Sequence, residues 1–376
     1  MRLALAQINT TVGDIDGNAS LVAEWIGRAR EESCDLVLFP ELTLPGYPAE
    51  DLYLLPHFAQ ASAAALEELA ATTAGSPGIA VLVGFAEPVP GADPRFGASP
   101  STGRHRPCAH NALALLADGH VQQIYRKQVL PNYGVFDELR QFDPGDEAGT
   151  SEVTVAGGRS AARIGLTVCE DAWHAAEPAV AAVDAGAELL VNASASPWYR
   201  GRGPEREAVF TDLAARLRRP IALCNLVGAQ DGLVFEGESL VASADGEVIA
   251  RAAQFEQELL VCELDLAADS SRGAQPAGRE AASARPAATL GGRLEPPAEV
   301  WAGLRLGLAD YAEKNGFKGV VLGLSGGIDS ALIAALAADA LGPDRVTCAV
   351  MPSPYSSDAT QSDARLLATN LGTHLV

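Results

Sequence analysis

The chain has 376 residues, 48% of them hydrophobic, enough for two domains or one large one with a full core. Its formal net charge is −21, which argues against nucleic acid or an anionic membrane surface as the main partner. A small anionic substrate remains compatible, because a pocket can be locally positive on an acidic protein.

The opening MRLALAQINT has one Arg and a short apolar stretch that meets Gln7, Asn9 and Thr10 at once. That is too short for a secretory signal and suits a first strand over 2–8. Helical spacing over 17–33 places Leu21, Ile26 and Ala29 on one side. DLVLFPE (35–41) predicts a short buried strand ending at Pro40, and the Ala- and Glu-rich 57–73 a helix. Further strands are predicted over 79–85, 111–117, 120–125, 162–168, 188–193, 220–225 and 239–244, with helices over 176–186 and 204–219. Asp118-Gly119 and Asp245-Gly246 have the form of hairpin turns. Residues 1–265 therefore predict a layered α/β domain whose sheets are covered by helices on their outer faces.

Residues 266–298, rich in Ala, Gly, Ser and Pro, break the pattern and predict an inter-domain linker. Beyond it an amphipathic helix (299–313), a strand (318–324), a helix (330–341) and a strand (345–350) predict a βαβ unit that opens a second domain over 299–376. No run reaches the roughly 18 apolar residues a membrane span needs, so no membrane partner and a cytoplasmic location are expected. The sequence carries no internal repeat.

Six cysteines stand at 34, 108, 169, 224, 262 and 348, none in CxxC and none at metal-like spacing with His. They predict free thiols in a reducing compartment, and no metal ligand is assigned. Of 27 basic residues only three, at 127, 314 and 318, are Lys. Arg stays charged, whereas Lys is a compact point donor that can shift its proton affinity, so each retained Lys is a candidate for a specific role.

Three chemically distinct groups fall at the ends of predicted strands: Glu41 in LVLFPEL, Lys127 in IYRKQVLPNYGVFDE and Cys169 in IGLTVCEDAW. A free thiol is only a few per cent thiolate at neutral pH, so a carboxylate beside it can take the proton as attack begins. Lys127 and the backbone N–H after Cys169 could stabilise the oxyanion. The chemistry open to the trio is amide hydrolysis. FPEL, YRKQVLPNYGVFDE and GLTVCEDAW, in this order, resemble the Glu–Lys–Cys triad of the nitrilase superfamily. LPNYGVFDE, VCEDAW, NASASPWYRGR and CNLVGAQDGLVFEGES resemble the glutaminase branch attached to NAD synthetases. The resemblance spans residues 1–265 and implies a four-layer αββα fold. It implies Glu41 as general base, Lys127 as electrostatic stabiliser and Cys169 as nucleophile. Tyr133, Ser196 and Arg202 would contact glutamine, and Glu138 and Glu170 would support the triad.

The second constellation is GLSGGIDS: Gly323, Leu324, Ser325, Gly326, Gly327, Ile328, Asp329 and Ser330, between a Val/Leu strand and an Ala/Leu helix. Small residues let backbone N–H groups approach an anion, and the helix N-terminus adds partial positive charge. It is not Walker A, since no GK[ST] follows. SGGxDS after a strand resembles the ATP pyrophosphatase loop of N-type synthetases, and MPSPYSSDAT resembles the next loop of NAD synthetases. The resemblance implies a parallel-sheet, Rossmann-like nucleotide domain. It implies ATP and Mg2+, with the metal ligands mostly outside this chain, and deamido-NAD and glutamine as substrates.

The expected function is ATP-dependent amidation of deamido-NAD with ammonia from glutamine. The alternatives are a stand-alone carbon–nitrogen hydrolase or amidase, and a truncated glutaminase-like subunit without synthesis. The chain stops at Val376, short of a complete doubly wound domain, so these residues alone are expected not to make NAD. Small-molecule substrates are the expected partners, with a homo-oligomer for the full-length protein.

Overall fold

The computed structural model describes residues 1–74, 78–91, 107–154, 161–173, 176–266, 290–351 and 357–376. Most of the predicted linker (266–298) and the centre of MPSPYSSDAT lie outside them. The described chain forms two compact units, residues 1–227 with 235–293, and 228–234 with 294–376.

In the first unit, strands β1 (Arg2–Gln7), β2 (Leu36–Leu38), β3 (Ala80–Pro88), β4 (Ala109–Ala117), β5 (His120–Arg126) and β14 (Glu258–Glu263) make one six-stranded sheet in the order β14-β1-β2-β3-β4-β5. A second sheet has the order β13-β12-β9-β8-β7-β6, from β6 (Thr150–Thr154), β7 (Ala161–Val168), β8 (Leu189–Ser194), β9 (Ile221–Asn225), β12 (Leu240–Ala242) and β13 (Val248–Arg251). Between β9 and β12, β10 (Val227–Gln230) and β11 (Leu233–Glu236) form a two-stranded ribbon.

Strand alternation explains the layering. Leu3 and Leu5 of β1 point into a core shared with Leu166, Val168 and Val191 of the second sheet. Ala4 and Ala6 point the other way, onto Trp25, Ile26 and Leu66. Those residues belong to α1 (Ile15–Glu31) and α2 (Pro56–Ala71). On the opposite side α4 (Glu177–Asp184) and α5 (Arg202–Leu217) cover the second sheet through Ala179, Phe210 and Leu213. The result is the four-layer αββα sandwich. Its halves share a plan that the sequence does not repeat: β1, β2 and β3 run parallel, as do β7, β8 and β9, with helices between them.

The elements predicted from apolar runs appear at nearly the expected positions, with shifts of physical origin. Helix α1 starts two residues early because Asp14 caps it, accepting from the Gly17 N–H at 3.1 Å. Its buried face also holds Asn18, which donates to the Thr11 and Leu44 carbonyls. Asp118 and Gly119 both have positive φ, 52° and 84°, as a tight hairpin between β4 and β5 requires. Strands β6, β13 and β14 were not expected; β6 and β13 are outer strands of the second sheet and β14 of the first, half exposed and weakly patterned.

The second unit has three parallel strands, β15 (Val320–Gly323), β16 (Val346–Ala349) and β17 (His374–Leu375). Helices α6 (Pro296–Lys314), α7 (Ile328–Leu341) and α8 (Asp358–Leu371) accompany them. Two prolines at the first positions of α6 extend it N-terminally of the predicted start. Helix α8 was not expected; Ser357 caps it and only Ala364 and Ala368 are buried on it. Leu324, Ala334, Ala337, Val346 and Cys348 form this unit's core. No described helix is long and apolar enough to cross a membrane.

One glycine shows how the sandwich positions a site. A Cβ on Gly84 of β3 would lie 2.3 Å from the Leu42 nitrogen and 2.5 Å from the Pro40 oxygen. The Pro40–Leu42 turn therefore rests directly on β3. Gly84→Ala is expected to push that turn, and Glu41 with it, out of place. The amide hydrolysis expected from the sequence should then fall at least about tenfold, since a displacement near 1 Å costs on the order of 10²-fold. Wild-type turnover in this variant would show that the turn can yield.

Candidate active site

Glu41, Lys127 and Cys169 come from three strand ends and converge. Glu41 follows β2 and is 1% exposed; Lys127 follows β5 and is 1% exposed; Cys169 follows β7 and is 4% exposed. Lys127 Nζ donates to Glu41 Oε1 at 2.7 Å. It also straddles the carboxylate of Glu138, on the short helix α3 (Glu138–Gln141), at 2.9 Å from Oε1 and 2.8 Å from Oε2. A buried ammonium is stable only with such partners, and removing one from a buried pair costs about 3–5 kcal/mol.

Glu41 is held from both sides. Asn111 Nδ2 donates to its Oε1 at 2.7 Å, and the Ala195 N–H to its Oε2 at 3.0 Å. Ala195 follows β8, so this carboxylate joins the two sheets. Asn111 was not flagged by the sequence, and Ala195 was included only within NASASPWYRGR, with no role of its own. A lone Asn in a strand and a backbone N–H have no signature there; the only cue is that each lies at the end of an apolar strand.

Cys169 has φ of 44°, a left-handed conformation uncommon for a non-glycine residue. The strand breaks there into a 3-10 turn, Cys169–Ala172. This has the form of a nucleophile elbow, in which local strain presents the side chain at the strand end. Burial pushes the Cys169 thiol well above its ordinary range; Glu41 adds to the rise and Lys127 opposes it. The resting group is thus a thiol, which would need a base to act as a nucleophile. For Lys127, burial works to lower the proton affinity, but the Glu138 and Glu41 carboxylates outweigh it and keep the ammonium charged. Glu138 is pushed up to about 7 by burial, against Lys127 and with Glu41.

The predicted substrate contacts lie around the elbow. The Tyr133 hydroxyl donates to Glu170 Oε2 at 3.0 Å, beside Cys169, while half of the Tyr133 side chain stays exposed. Arg202 Nε donates to Ser196 Oγ at 3.1 Å, and the guanidinium lies 3.9 Å from the Trp173 ring centre, just past the turn. Ser196 directly follows Ala195, and its N–H is fixed by Asn225 Oδ1 at 2.9 Å. Trp173 was not singled out in the sequence, although it closes the VCEDAW motif.

In the second unit Ser325 Oγ and Ser330 Oγ lie 3.0 Å apart, and Gly327 caps α7 with its N–H 3.2 Å from Ser325 Oγ. Gly326 has φ of 81° and a Cβ there would meet the Thr360 oxygen at 2.1 Å, so only glycine fits. Ser325, Gly327, Ile328 and Asp329 are exposed, whereas the Leu324 side chain is buried in the core and only its backbone faces the loop. Among the described residues no group of three or more His, Cys, Asp and Glu could hold a metal.

An αββα sandwich that gathers a buried carboxylate, ammonium and thiol at its strand ends has the architecture of the nitrilase type. Residues 2–270 match the carbon-nitrogen hydrolase family, and the chain belongs to it. Residues 300–376 match the NAD synthase family. Curated relatives are the glutamine-dependent NAD(+) synthetases of Thermotoga maritima, 37% identical over 99% of this chain and 64% of the relative, and of Xanthomonas campestris, 39% identical over 99% and 62%. The chain thus spans less than two thirds of their length. Among solved structures, the glutamine-dependent NAD+ synthetase from Acinetobacter baumannii in complex with ADP superposes with TM-score 0.82 at 32% identity, covering 100% of this chain and 64% of that one. The fold of the NitN amidase from Neterenkonia sp. AN1 is also similar, with TM-score 0.57 at 24% identity over 73% of this chain and 96% of that one.

The Glu138 carboxylate sets a pH expectation. Below about 7 it takes up a proton, and Lys127 then faces one full carboxylate charge instead of two. With one of its two charged anchors neutralised Lys127 is held less firmly, so the amide hydrolysis expected from the sequence should rise with pH through about 7 and level off above it. In Glu138→Gln that acid limb should disappear. A pH–rate profile unchanged by the substitution would separate Glu138 from the reaction.

Proposed function

We propose that this chain carries the glutaminase and the ATP-loop portion of a glutamine-dependent NAD synthetase, with the glutaminase over 1–265 and the nucleotide-using part from 299. The observation that carries the reading is the buried Lys127–Glu41 contact of 2.7 Å beside the Cys169 elbow, in a chain that also bears the GLSGGIDS loop. The matches to both families and the names of the relatives support the same combination. The loop argues against a stand-alone amidase, which has no use for a phosphate cradle.

In the proposed hydrolysis, Cys169 attacks the carboxamide carbon of glutamine while Glu41 takes the thiol proton. The oxyanion forms against the Lys127 ammonium and the Glu170 backbone N–H. Collapse of the tetrahedral adduct, with the proton returned from Glu41 to nitrogen, releases ammonia and leaves a glutamyl thioester. Water, deprotonated by Glu41, clears the thioester to glutamate and the thiol is restored. Arg202, braced by Ser196 and stacked on Trp173, offers a fork for the substrate α-carboxylate. Tyr133 closes the rim.

The loop fits a nucleotide phosphate chain: exposed small residues, two hydroxyls and the start of a 14-residue helix. Ser325, Gly326, Gly327 and Ser330 would hold ATP, with Mg2+ ligands to come mostly from outside these residues. ATP would adenylylate the nicotinate carboxylate of deamido-NAD, and ammonia would displace AMP to give NAD.

The test is release of glutamate from glutamine by the purified chain. Cys169→Ala should abolish it; survival of the activity would sink the assignment. Lys127→Arg keeps the charge but changes bulk and donor geometry in a fully buried site, so turnover should fall by about 10²–10³. Activity within a few-fold of wild type would mean that the cation needs no defined position.

A further inference from the structure

Asp171, the third residue of the elbow turn, has no part in the steps above, yet it is fully buried. Its Oδ2 accepts from the Val168 N–H at 3.0 Å and the Tyr125 hydroxyl at 2.8 Å. Its Oδ1 accepts from the N–H groups of Gln128 at 3.0 Å and Val129 at 2.9 Å. Val168 immediately precedes the nucleophile. Tyr125 and Gln128–Val129 bracket Lys127 on either side. β5 and β7 belong to different sheets, so one carboxylate ties the strand end that carries the cation to the strand end that carries the thiol.

Of the backbone ties at these two positions, those to strands stay within their own sheets, and the Lys127 carbonyl accepts from the Gly145 N–H in the following loop. The Lys127 N–H donates to the Asn111 carbonyl on β4, and the Cys169 carbonyl accepts from Asn192 on β8. We propose that Asp171 is a positioning residue: its carboxylate fixes the Lys127 backbone against the Cys169 elbow, so that ammonium and nucleophile keep one separation through the reaction. The inference rests on the amide-hydrolysis reading above and adds a residue to it. Four donors converging on a carboxylate that lies wholly inside the sandwich give it a rigidity that a single side-chain contact would not. Oxyanion stabilisation needs that rigidity, because a misplacement near 1 Å costs on the order of 10²-fold in rate.

The experiment uses Asp171→Asn in the whole chain. The amide keeps one acceptor oxygen but turns an NH2 toward donors, so about half of the bridge is lost. The kcat for glutamine hydrolysis should fall by about 30-fold or more, against the roughly 10²–10³ for losing an oxyanion donor outright. KM should stay within about twofold, because Tyr133, Ser196 and Arg202 are untouched. A substrate-independent arm follows alkylation of Cys169 by iodoacetamide against pH, read by peptide mass. Lys127 lowers the proton affinity of Cys169 and burial raises it. A displaced Lys127 therefore moves the alkylation midpoint up, whereas a loosened, hydrated elbow moves it down. Tyr125→Phe, which removes one of the four bonds, should change kcat and the midpoint in the same directions by less, and carries the test if Asp171→Asn does not fold. A kcat within about threefold of wild type, or a downward midpoint with KM raised as much as kcat falls, overturns the proposal. Absence of glutamine hydrolysis in the wild-type chain would instead count against the glutaminase reading, and the alkylation arm would still decide the role of Asp171.

Discussion

The structure turns on one buried cation. The Lys127 side chain has no solvent exposure, and an ammonium removed from water costs several kcal/mol unless opposite charges meet it. Glu41 and Glu138 meet it from two directions. Those carboxylates are buried in turn, and Glu41 has donors of its own, Asn111 and the Ala195 N–H. Each partner comes from a different strand end or helix. The charge on Lys127 thus dictates where β2, β4, β5, β8 and α3 must terminate relative to one another.

This arrangement explains why the site was legible as three isolated strand ends and no further. Glu41, Lys127 and Cys169 each follow an apolar run that a sequence displays directly, and Lys127 stands out in a chain that uses Arg almost everywhere. The residues that fix them are invisible by the same criteria. Gly84 matters because the Pro40–Leu42 turn lies on its Cα, a contact across 42 residues of chain. Asn111 and Ala195 reach Glu41 across 70 and 154 residues, and three of the four donors to Asp171 lie 42 to 46 residues away. Periodicity reports which face of an element is buried, not which distant group it will meet.

The same limit governs the fold. Central strands, buried on both faces, announced themselves as continuous apolar runs. The outer strands β6, β13 and β14 are short or half exposed, and only pairing with a neighbour already in place makes them strands. Helix α8 buries little beyond two alanines, so its sequence shows turn residues more plainly than an apolar stripe. Lys314 repeats the logic of Lys127 on a smaller scale: its Nζ donates to the Ala229 carbonyl at 2.8 Å and pairs with Asp310 at 3.1 Å. A compact donor suits a single carbonyl better than the planar fork of Arg.

Dividing the carboxylate, the cation and the thiol between two sheets has a consequence for the proposed chemistry. The thiol rests protonated, raised first by burial and then by Glu41, so the site does not keep an idle thiolate open to oxidation or alkylation. In the proposed hydrolysis, attack coincides with transfer of the proton to Glu41, whose position is set partly by the second sheet through the Ala195 N–H. Reactivity therefore depends on how firmly the two sheets are registered. The apolar core between them supplies that registry without direction, since hydrophobic packing tolerates small slides. The Glu41–Ala195 bond and, in the proposed role of Asp171, its three bonds from Tyr125, Gln128 and Val129 supply the directional part. They lie where a slide would separate the cation from the thiol.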